Sequence, residues 1–248
     1  MIFILDHKRG EGMKKYFEIF KYGIKKNLAF IVDYIFSLFS YGIFIFVFNE
    51  LWDYILQGKL VAGYTKIELI WYIIIAEFVI LSSNRMFQRI SEMVKNGDIA
   101  NMLTKPVEFV FYILADNLSI VIKAIINLIF GIILGILLAG PIEVTVVSII
   151  LTLFTAMLAV FMGILLQIFV GLLAFYTEEN RSFWLIIQKA AFLLVFTPIE
   201  FYPEIVQKIL LILPTTYMVY VPGKIFVDFH LRNSFGWIGM EILAAIVL

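Results

Sequence analysis

The chain has 248 residues, of which 62% are hydrophobic and 15% are charged, and its formal net charge is zero. A soluble globular domain is about 45–50% apolar and about 25% charged, so this composition excludes a soluble core and favours a membrane protein. With no cysteine and only two histidines, His7 and His230, the sequence also offers no disulfide framework and no Cys- or His-rich metal site.

Six long apolar stretches predict six transmembrane helices, because a helical span needs about 20 apolar residues. The stretches cover residues 28–50, 67–83, 109–139, 143–175, 183–199 and 234–248. The last stretch is short, so we expect either an unusually short span or a chain cut before its natural end.

The distribution of basic residues predicts the orientation. If the N-terminus is cytosolic, the three cytosolic segments carry 7, 4 and 2 of the 19 Lys and Arg residues, and the three outer segments carry 2, 0 and 3. The positive-inside rule then places both termini in the cytosol. We therefore predict an all-α, polytopic protein of the cell (cytoplasmic) membrane, with residues 28–248 forming a six-span domain.

The N-terminal segment 1–27 combines an extension with an amphipathic helix. Residues 1–12 look optional, because Met13-Lys14-Lys15 would itself make a natural start. From residue 13 to 27, apolar and aromatic side chains recur at helical spacing and the lysines lie mostly on the opposite side. This pattern is typical of a helix lying in the membrane interface. A basic flank that only anchors the topology is the alternative.

Residues 84–106 form the most structured polar stretch, and they are predicted to lie in the cytosol. Apolar residues from Met86 to Val94 recur every three or four positions, which indicates an amphipathic helix. Gly97 is suited to end that helix, and Asp98 to N-cap a second one. Pro106 would close the second helix. We therefore expect two capped helices here, and we call 84–106 the coupling segment for the role discussed below.

Three ionisable residues inside apolar stretches form a candidate intramembrane charge network: Glu77, Asp116 and Lys123. Asp33 lies near the cytosolic end of the first stretch. Asp116 and Lys123 are two helical turns apart and are expected to share a face, and Glu77 is placed to pair with Lys123. Such charges usually face a bundle interior or an aqueous path. The alternative is that they snorkel or pair to fix helix packing.

The stretch before the last span contains two apolar runs that are too short to cross a bilayer, separated by prolines. We predict that residues 200–225, called the outer segment here, form re-entrant or surface-lying half-helices. Pro203 and Pro214 should lie at helix starts or breaks, and Ile209, Leu210 and Leu213 should pack against protein. The alternative is an ordinary extracellular loop.

Catalytic motifs are missing from the sequence. Gly58-Lys59 and Gly223-Lys224 lack the upstream glycine and the following Ser or Thr of a phosphate-binding loop, and the chain has no HExxH or GxSxG motif. The chain is therefore not expected to be an enzyme or to bind a cofactor itself.

The residues from Lys95 to Pro106, KNGDIANMLTKP, are similar to a basic-x-G-D-I-A-x-x-L-x-x-P stretch in the membrane subunits of type-2 ATP-binding-cassette exporters. Together with the predicted topology, the chain resembles this family over residues 13–248. Four outer residues also look similar to those of the family: Pro203, Pro214, Tyr217 and Pro222.

The resemblance implies a permease subunit that forms half of a dimeric pathway. ATP and magnesium would bind a separate ATPase subunit, which would dock on coupling residues Arg89, Glu92, Lys95, Gly97, Asp98, Asn101 and Pro106. The four outer residues would form an outer gate. The implied partners are that ATPase, a second permease (a copy of this chain or a paralogue) and membrane lipid, with no nucleic acid.

Two other classes remain open at this point. An ATP-independent secondary transporter or channel-like protein would predict an inverted repeat, but residues 28–139 and 143–248 show no convincing similarity. A structural or assembly protein of the membrane would not require a stiff cytosolic segment.

Overall fold

The computed structural model describes residues 2–29, 31–82, 86–105, 107–177 and 180–247, with side chains from Lys14 onward except at 28 and 31–33. Within these ranges the chain is helical and has no β-strand, which confirms the all-α prediction. The helices are α1 Ile2–Leu28, α2 Ile31–Leu56, α3 Lys66–Leu81, α4 Met86–Lys95, α5 Asp98–Leu103, α6 Phe109–Leu118, α7 Val121–Leu138, α8 Val146–Leu172, α9 Arg181–Phe196, α10 Glu204–Leu210, α11 Pro214–Val227 and α12 Leu231–Val247.

The described helices include four that are long and apolar enough to cross a membrane, beginning at Tyr34, Lys66, Phe109 and Val146. The pair α10 and α11 meets the same criterion but is bent by 107°. Helices α9 and α12 have 16 and 17 residues, or about 24 to 26 Å of helix, somewhat less than a bilayer core of about 30 Å. The protein is therefore multi-pass, and the six-span arrangement stays a prediction.

Helix α3 lies at the centre of the bundle because it is apolar on every side. All residues from Leu69 to Val79 are buried, as expected for a helix without a polar face. Its start is fixed by a capping box, in which Thr65 and Glu68 exchange side chain to backbone hydrogen bonds. Helix α11 is also largely buried, and it packs against α3 and α8.

Helix α8 supports two other helices, α4 and α11. Each approaches α8 at a glycine. A Cβ atom on Gly171 would lie 2.7 Å from Cβ of Ile90 in α4, and one on Gly163 would lie 2.9 Å from Cε of Met218 in α11. Because glycine has no side chain, α4 comes closer to α8 at Gly171 than any other residue would allow, whereas at Gly163 only the flexible end of Met218 would have to give way.

The third predicted span consists of two consecutive helices that together form one candidate crossing, Phe109–Leu138. Helix α6 ends at Leu118 and α7 begins at Val121, although the two residues between them keep right-handed helical angles. In α7, Gly131 and Gly135 lie against Tyr41 and Ile74, so this pair of glycines permits close packing on α2 and α3.

The two ends of the bundle are named here by the predicted orientation. At the outer end, the Trp71 indole N–H donates to the Gly140 carbonyl, and the Ser148 hydroxyl donates to the Ile225 carbonyl. At the cytosolic end, α4 and the residues before α9 meet the end of α8.

Helix α1 runs beside α6 as one continuous helix. The Tyr16 hydroxyl accepts from the Glu108 N–H at 3.1 Å, and the Asn27 amide donates to Ser119 at 2.9 Å. Phe17 is exposed, and Lys21 lies over its ring. The interfacial position of α1 stays a prediction.

Candidate functional site

The start of α4 is held by one side chain of α8. Gln167 is fully buried, and its Oε1 accepts from the backbone N–H groups of Met86 (2.8 Å) and Phe87 (3.4 Å). These are the first two N–H groups of α4, and such groups have no partner within their own helix. Gln167 therefore caps α4 from a neighbouring helix, an arrangement that local sequence patterns do not reveal.

Helix α4 has two further polar attachments. Arg89 pairs with Asp116 of α6, and its guanidinium also donates to the Tyr112 hydroxyl at 2.9 Å. Burial by itself lowers the pKa of Arg89, but Asp116 and Tyr112 raise it above its ordinary value, so the guanidinium stays charged. Asn180, just before α9, donates to Ser91 of α4 (2.5 Å) and to the Val170 carbonyl of α8 (2.7 Å).

Helix α4 also touches α9 through aromatic rings. The rings of Phe87 and Trp184 stack with centroids 5.0 Å apart and an interplanar angle of 26°. Helix α4 thus contacts α6, α8 and α9, and a displacement of α4 would be felt by all three.

Helix α5 differs from α4 because it has no buried residue. Gly97 joins the two helices with φ of +76°, as predicted. The prediction for Asp98 was wrong. Gly97 occupies the N-cap position, no side chain caps α5, and Asp98 is its first helical residue. An acidic residue there still favours the positive end of the peptide dipoles.

The predicted coupling residues fall into two groups. Arg89 faces α6 and anchors the segment. Five others lie on the exposed surface that runs from the end of α4 through α5: Glu92, Lys95, Gly97, Asp98 and Asn101. Pro106 lies outside the described residues. The exposed group is the part of the segment available to a partner.

The structure does not assemble the predicted intramembrane charge network. Asp116 pairs with Arg89, and no salt bridge joins Glu77 to Lys123 among the described residues. The Lys123 ammonium lies 5.5 Å from the centroid of the Tyr34 ring. Glu77 is buried within α3. Asp116 is thus paired outside the predicted network, because spacing along the third stretch does not reveal that Arg89 of another helix lies beside it.

Sequence reasoning missed Glu241 in α12. This residue is fully buried, and neither carboxylate oxygen has a hydrogen-bond partner among the described residues. It lies within the last apolar stretch, so the criterion that selected Glu77 would also have found it. Ionisable residues buried within apolar stretches usually face a bundle interior or an aqueous path, so Glu241 is a further candidate functional residue.

The outer segment is broken where the prolines predict. Pro203 precedes α10, Pro214 is the first residue of α11, and the helices meet at a sharp bend. Leu210 is buried and Leu213 is partly buried, but Ile209 is exposed, contrary to the prediction. Pro222 does not break the chain, since α11 continues through it.

Two predicted gate residues line a hollow. Pro214 and Tyr217 border a space of about 270 Å³ between the start of α11 and α12. The Tyr217 hydroxyl donates to the Leu211 carbonyl at 2.7 Å, which holds the bend before α11 together.

A cluster of charged and hydroxyl groups closes the outer end. The Lys224 ammonium lies 2.7 Å from Glu200, 2.7 Å from Asp228 and 2.8 Å from the Tyr64 hydroxyl. The Tyr220 hydroxyl donates to Glu200 at 2.7 Å. Burial, and then Glu200, raise the pKa of Tyr64 well above its ordinary value, so its hydroxyl stays neutral. The cluster connects the loop before α3 to the last turn of α11.

Comparison with known proteins agrees with a multi-pass membrane protein. The family model described as ABC-2 family transporter protein matches residues 39–248. A comparison with curated proteins finds no match. The family match covers the membrane helices, the coupling segment and the outer segment. The chain therefore belongs to the ABC-2 transporter family and is a multi-pass transmembrane permease of an ATP-binding-cassette transporter.

Proposed function

We propose that the chain is one half of a dimeric exporter, with six spans and both termini in the cytosol of the cell membrane. A separate ATPase subunit binds ATP and magnesium and docks on the coupling segment. The second half of the pathway is a copy of this chain or a paralogue. The family supports a permease role, and the structure supplies a surface suited to the partner.

The observation that carries the proposal is the contrast between α4 and α5. Helix α4 is capped by Gln167 and packed on α8 without an intervening flexible side chain. Helix α5 has no buried residue, and four of its six residues are exposed. A partner that moves the exposed surface would therefore move α4 and α8 with it, whereas a loosely attached loop would absorb the movement.

The outer segment supports the second part of the proposal. The start of α11 borders hollows on two sides, and non-helical backbone at membrane depth persists only beside protein or water. We infer that α10, α11 and the bend between them gate the outer exit, with Pro203, Pro214 and Tyr217 shaping the bend and Pro222 lying within α11.

Single cysteines in this cysteine-free chain test docking and orientation together. Asn101 and Lys59 are both exposed, at opposite ends of the bundle. Asn101→Cys should crosslink to a copurifying ATPase and resist an impermeant reagent applied from outside. Lys59→Cys should react with that reagent and give no crosslink. The reverse labelling pattern would reject the orientation, and the absence of any ATPase that copurifies and crosslinks at Asn101 would reject the docking role.

A further inference from the structure

Helix α1 packs on α6 with one side. The Tyr16 hydroxyl accepts from the Glu108 N–H, and the Asn27 amide donates to the Ser119 hydroxyl. A Cβ atom on Gly23 would lie 2.5 Å from Ser119 Oγ, so the two helices meet closely here. Tyr16, Gly23 and Asn27 follow one another at steps of seven and four residues, and they therefore share one face of α1.

The opposite face of α1 carries exposed lysines. At 3.6 residues per turn, Lys14, Lys21 and Lys25 lie within about 40° of one another and roughly 140–180° from the side that packs on α6. All three are exposed, and only Lys21 forms a salt bridge among the described residues, with Glu18 at 3.0 Å. Residues 14–27 contain five lysines and one glutamate, which is a net charge of +4. We call Lys14, Lys21 and Lys25 the lysine face.

The candidate crossing beside α1 is longer than a bilayer core. Phe109–Leu138 has 30 residues, or about 45 Å of helix, whereas the core is about 30 Å thick. The half that contains α6 carries Asp116 and Lys123, and the rest has no charged residue. Because charges are costly in hydrocarbon, the excess length belongs at the α6 end. We therefore expect α1, which runs beside that end, to lie among the lipid headgroups.

Aromatic side chains border the lysine face. Phe17 is 54% exposed, and its ring stacks on Phe20 with centroids 6.3 Å apart. The Lys21 ammonium lies 4.6 Å from the centroid of the Phe17 ring. A helix with lysines on its polar face and aromatic groups beside them is suited to the boundary between headgroups and acyl chains.

We propose that the lysine face binds anionic phospholipids, such as phosphatidylglycerol, in preference to zwitterionic ones. The ammonium groups supply charge complementary to the headgroup, and Phe17 reaches the apolar region beneath it. Helix α6 connects such a lipid to the coupling segment, because the Ser119 hydroxyl donates to the Asp116 carbonyl and the Asp116 carboxylate pairs with Arg89. That the lipid belongs to the cytosolic leaflet rests on the proposed function.

The test measures which lipid the purified full chain retains in detergent. The chain is exposed to equal amounts of phosphatidylglycerol and phosphatidylcholine with the same acyl chains, and bound lipid is counted by native mass spectrometry. Phosphatidylglycerol should be retained preferentially. Lys14→Gln combined with Lys25→Gln should lower this preference roughly tenfold, as expected for two lysines beside anionic headgroups. Because both lysines are exposed, the variant should fold normally.

Two matched variants separate charge on the lysine face from charge in general. Lys14→Arg combined with Lys25→Arg keeps the charge and should keep the preference. Lys59→Gln combined with Lys208→Gln removes two exposed lysines from elsewhere in the chain and should also keep it. Equal retention of the two lipids by the parent chain would overturn the proposal, as would an unchanged preference after replacement of Lys14 and Lys25 by glutamine.

The alternative occupant of the lysine face is a protein. If the glutamine variant lost a copurifying ATPase while its lipid preference stayed unchanged, the face would be a protein docking surface and the proposal would be wrong. The lipid measurement requires neither the ATPase nor a fixed orientation, so its failure leaves the proposed function standing.

Discussion

The coupling segment and the outer segment each join a helix buried on α8 to a short, exposed helix. In the coupling segment, α4 is buried and α5 is exposed. In the outer segment, α11 is buried and α10 has only Leu210 buried. The two buried helices are nevertheless held by different kinds of contact.

Helix α4 meets α8 through rigid groups. Backbone N–H groups bind Gln167, and Cβ of Ile90 lies directly over Gly171. Helix α11 meets Gly163 through the flexible end of Met218, and its outer turn is held by the charges around Lys224. The difference leads us to expect that α4 moves together with α8, whereas the start of α11, far from the hydrogen bond between Ser148 and Ile225, is able to shift against it. This is the division expected of a coupling element and a gate.

The largest effect is expected from Gln167→Leu. The substitution leaves two buried N–H groups of α4 without their acceptor, at about 1–3 kcal/mol each before relaxation. The melting temperature and the stimulation of the partner ATPase should both fall strongly. Gln207→Leu removes one part-buried hydrogen bond to the Tyr202 carbonyl but no helix cap, so this control should lower the melting temperature much less. Normal ATPase stimulation by Gln167→Leu would show that the cap of α4 is not needed for coupling.

The second largest effect is expected from replacing Lys224 in the charged cluster at the outer end of the bundle. Lys224→Met removes the cation that lies between Glu200 and Asp228, and truncating one partner of a buried pair is costly. Because these side chains are partly exposed, we expect a loss of about 2 kcal/mol. Thermal unfolding in detergent checks this value. Lys208→Met, which breaks the exposed pair with Glu204, should have almost no effect. Equal melting temperatures for the two variants would contradict the structural role of the cluster.

The two glycines of α8 allow a direct comparison of rigid and flexible contacts. Gly171→Ala places a Cβ atom against Cβ of Ile90, so α4 itself must move, at about 1–3 kcal/mol. Gly163→Ala meets only the end of Met218, which has room to rotate. We expect reduced ATPase stimulation for Gly171→Ala and near-normal stimulation for Gly163→Ala. If Gly163→Ala reduced ATPase stimulation more than Gly171→Ala, α4 would not be the more rigidly attached of the two helices.

The smallest loss of stability is expected from replacing Gly97. A comparison with Gly58 separates the effect of backbone strain from an effect on coupling. Gly97 and Gly58 share a φ of +76°, and neither would bring a Cβ atom within 4 Å of another group. Replacing either with valine should cost about 1–2 kcal/mol through left-handed strain alone. Melting temperatures should therefore fall equally, whereas only Gly97→Val should reduce ATPase stimulation. An equal loss of stimulation in both variants would mean that global destabilisation is responsible.

Several features of the site were predicted from the sequence because their signals are local. The helix-ending role of Gly97 and the helix starts at Pro203 and Pro214 follow from backbone chemistry within a few residues. The N-cap assigned to Asp98 was wrong by one position, since glycine itself took the cap. Helix α11 continues through Pro222, because a proline is tolerated within a membrane helix where surrounding groups satisfy the freed carbonyl.

Composition and periodicity by themselves determined that this is a helical membrane protein with an amphipathic polar segment between its second and third spans. These properties depend on burial of apolar residues and on backbone preferences that are set by residues close together in the sequence. Only the tertiary structure decided that Gln167 caps α4, that Arg89 takes Asp116 as its partner, and that Asn180 binds Ser91. Each of these depends on which helices become neighbours, because the groups involved are distant in sequence and meet only when the bundle is packed.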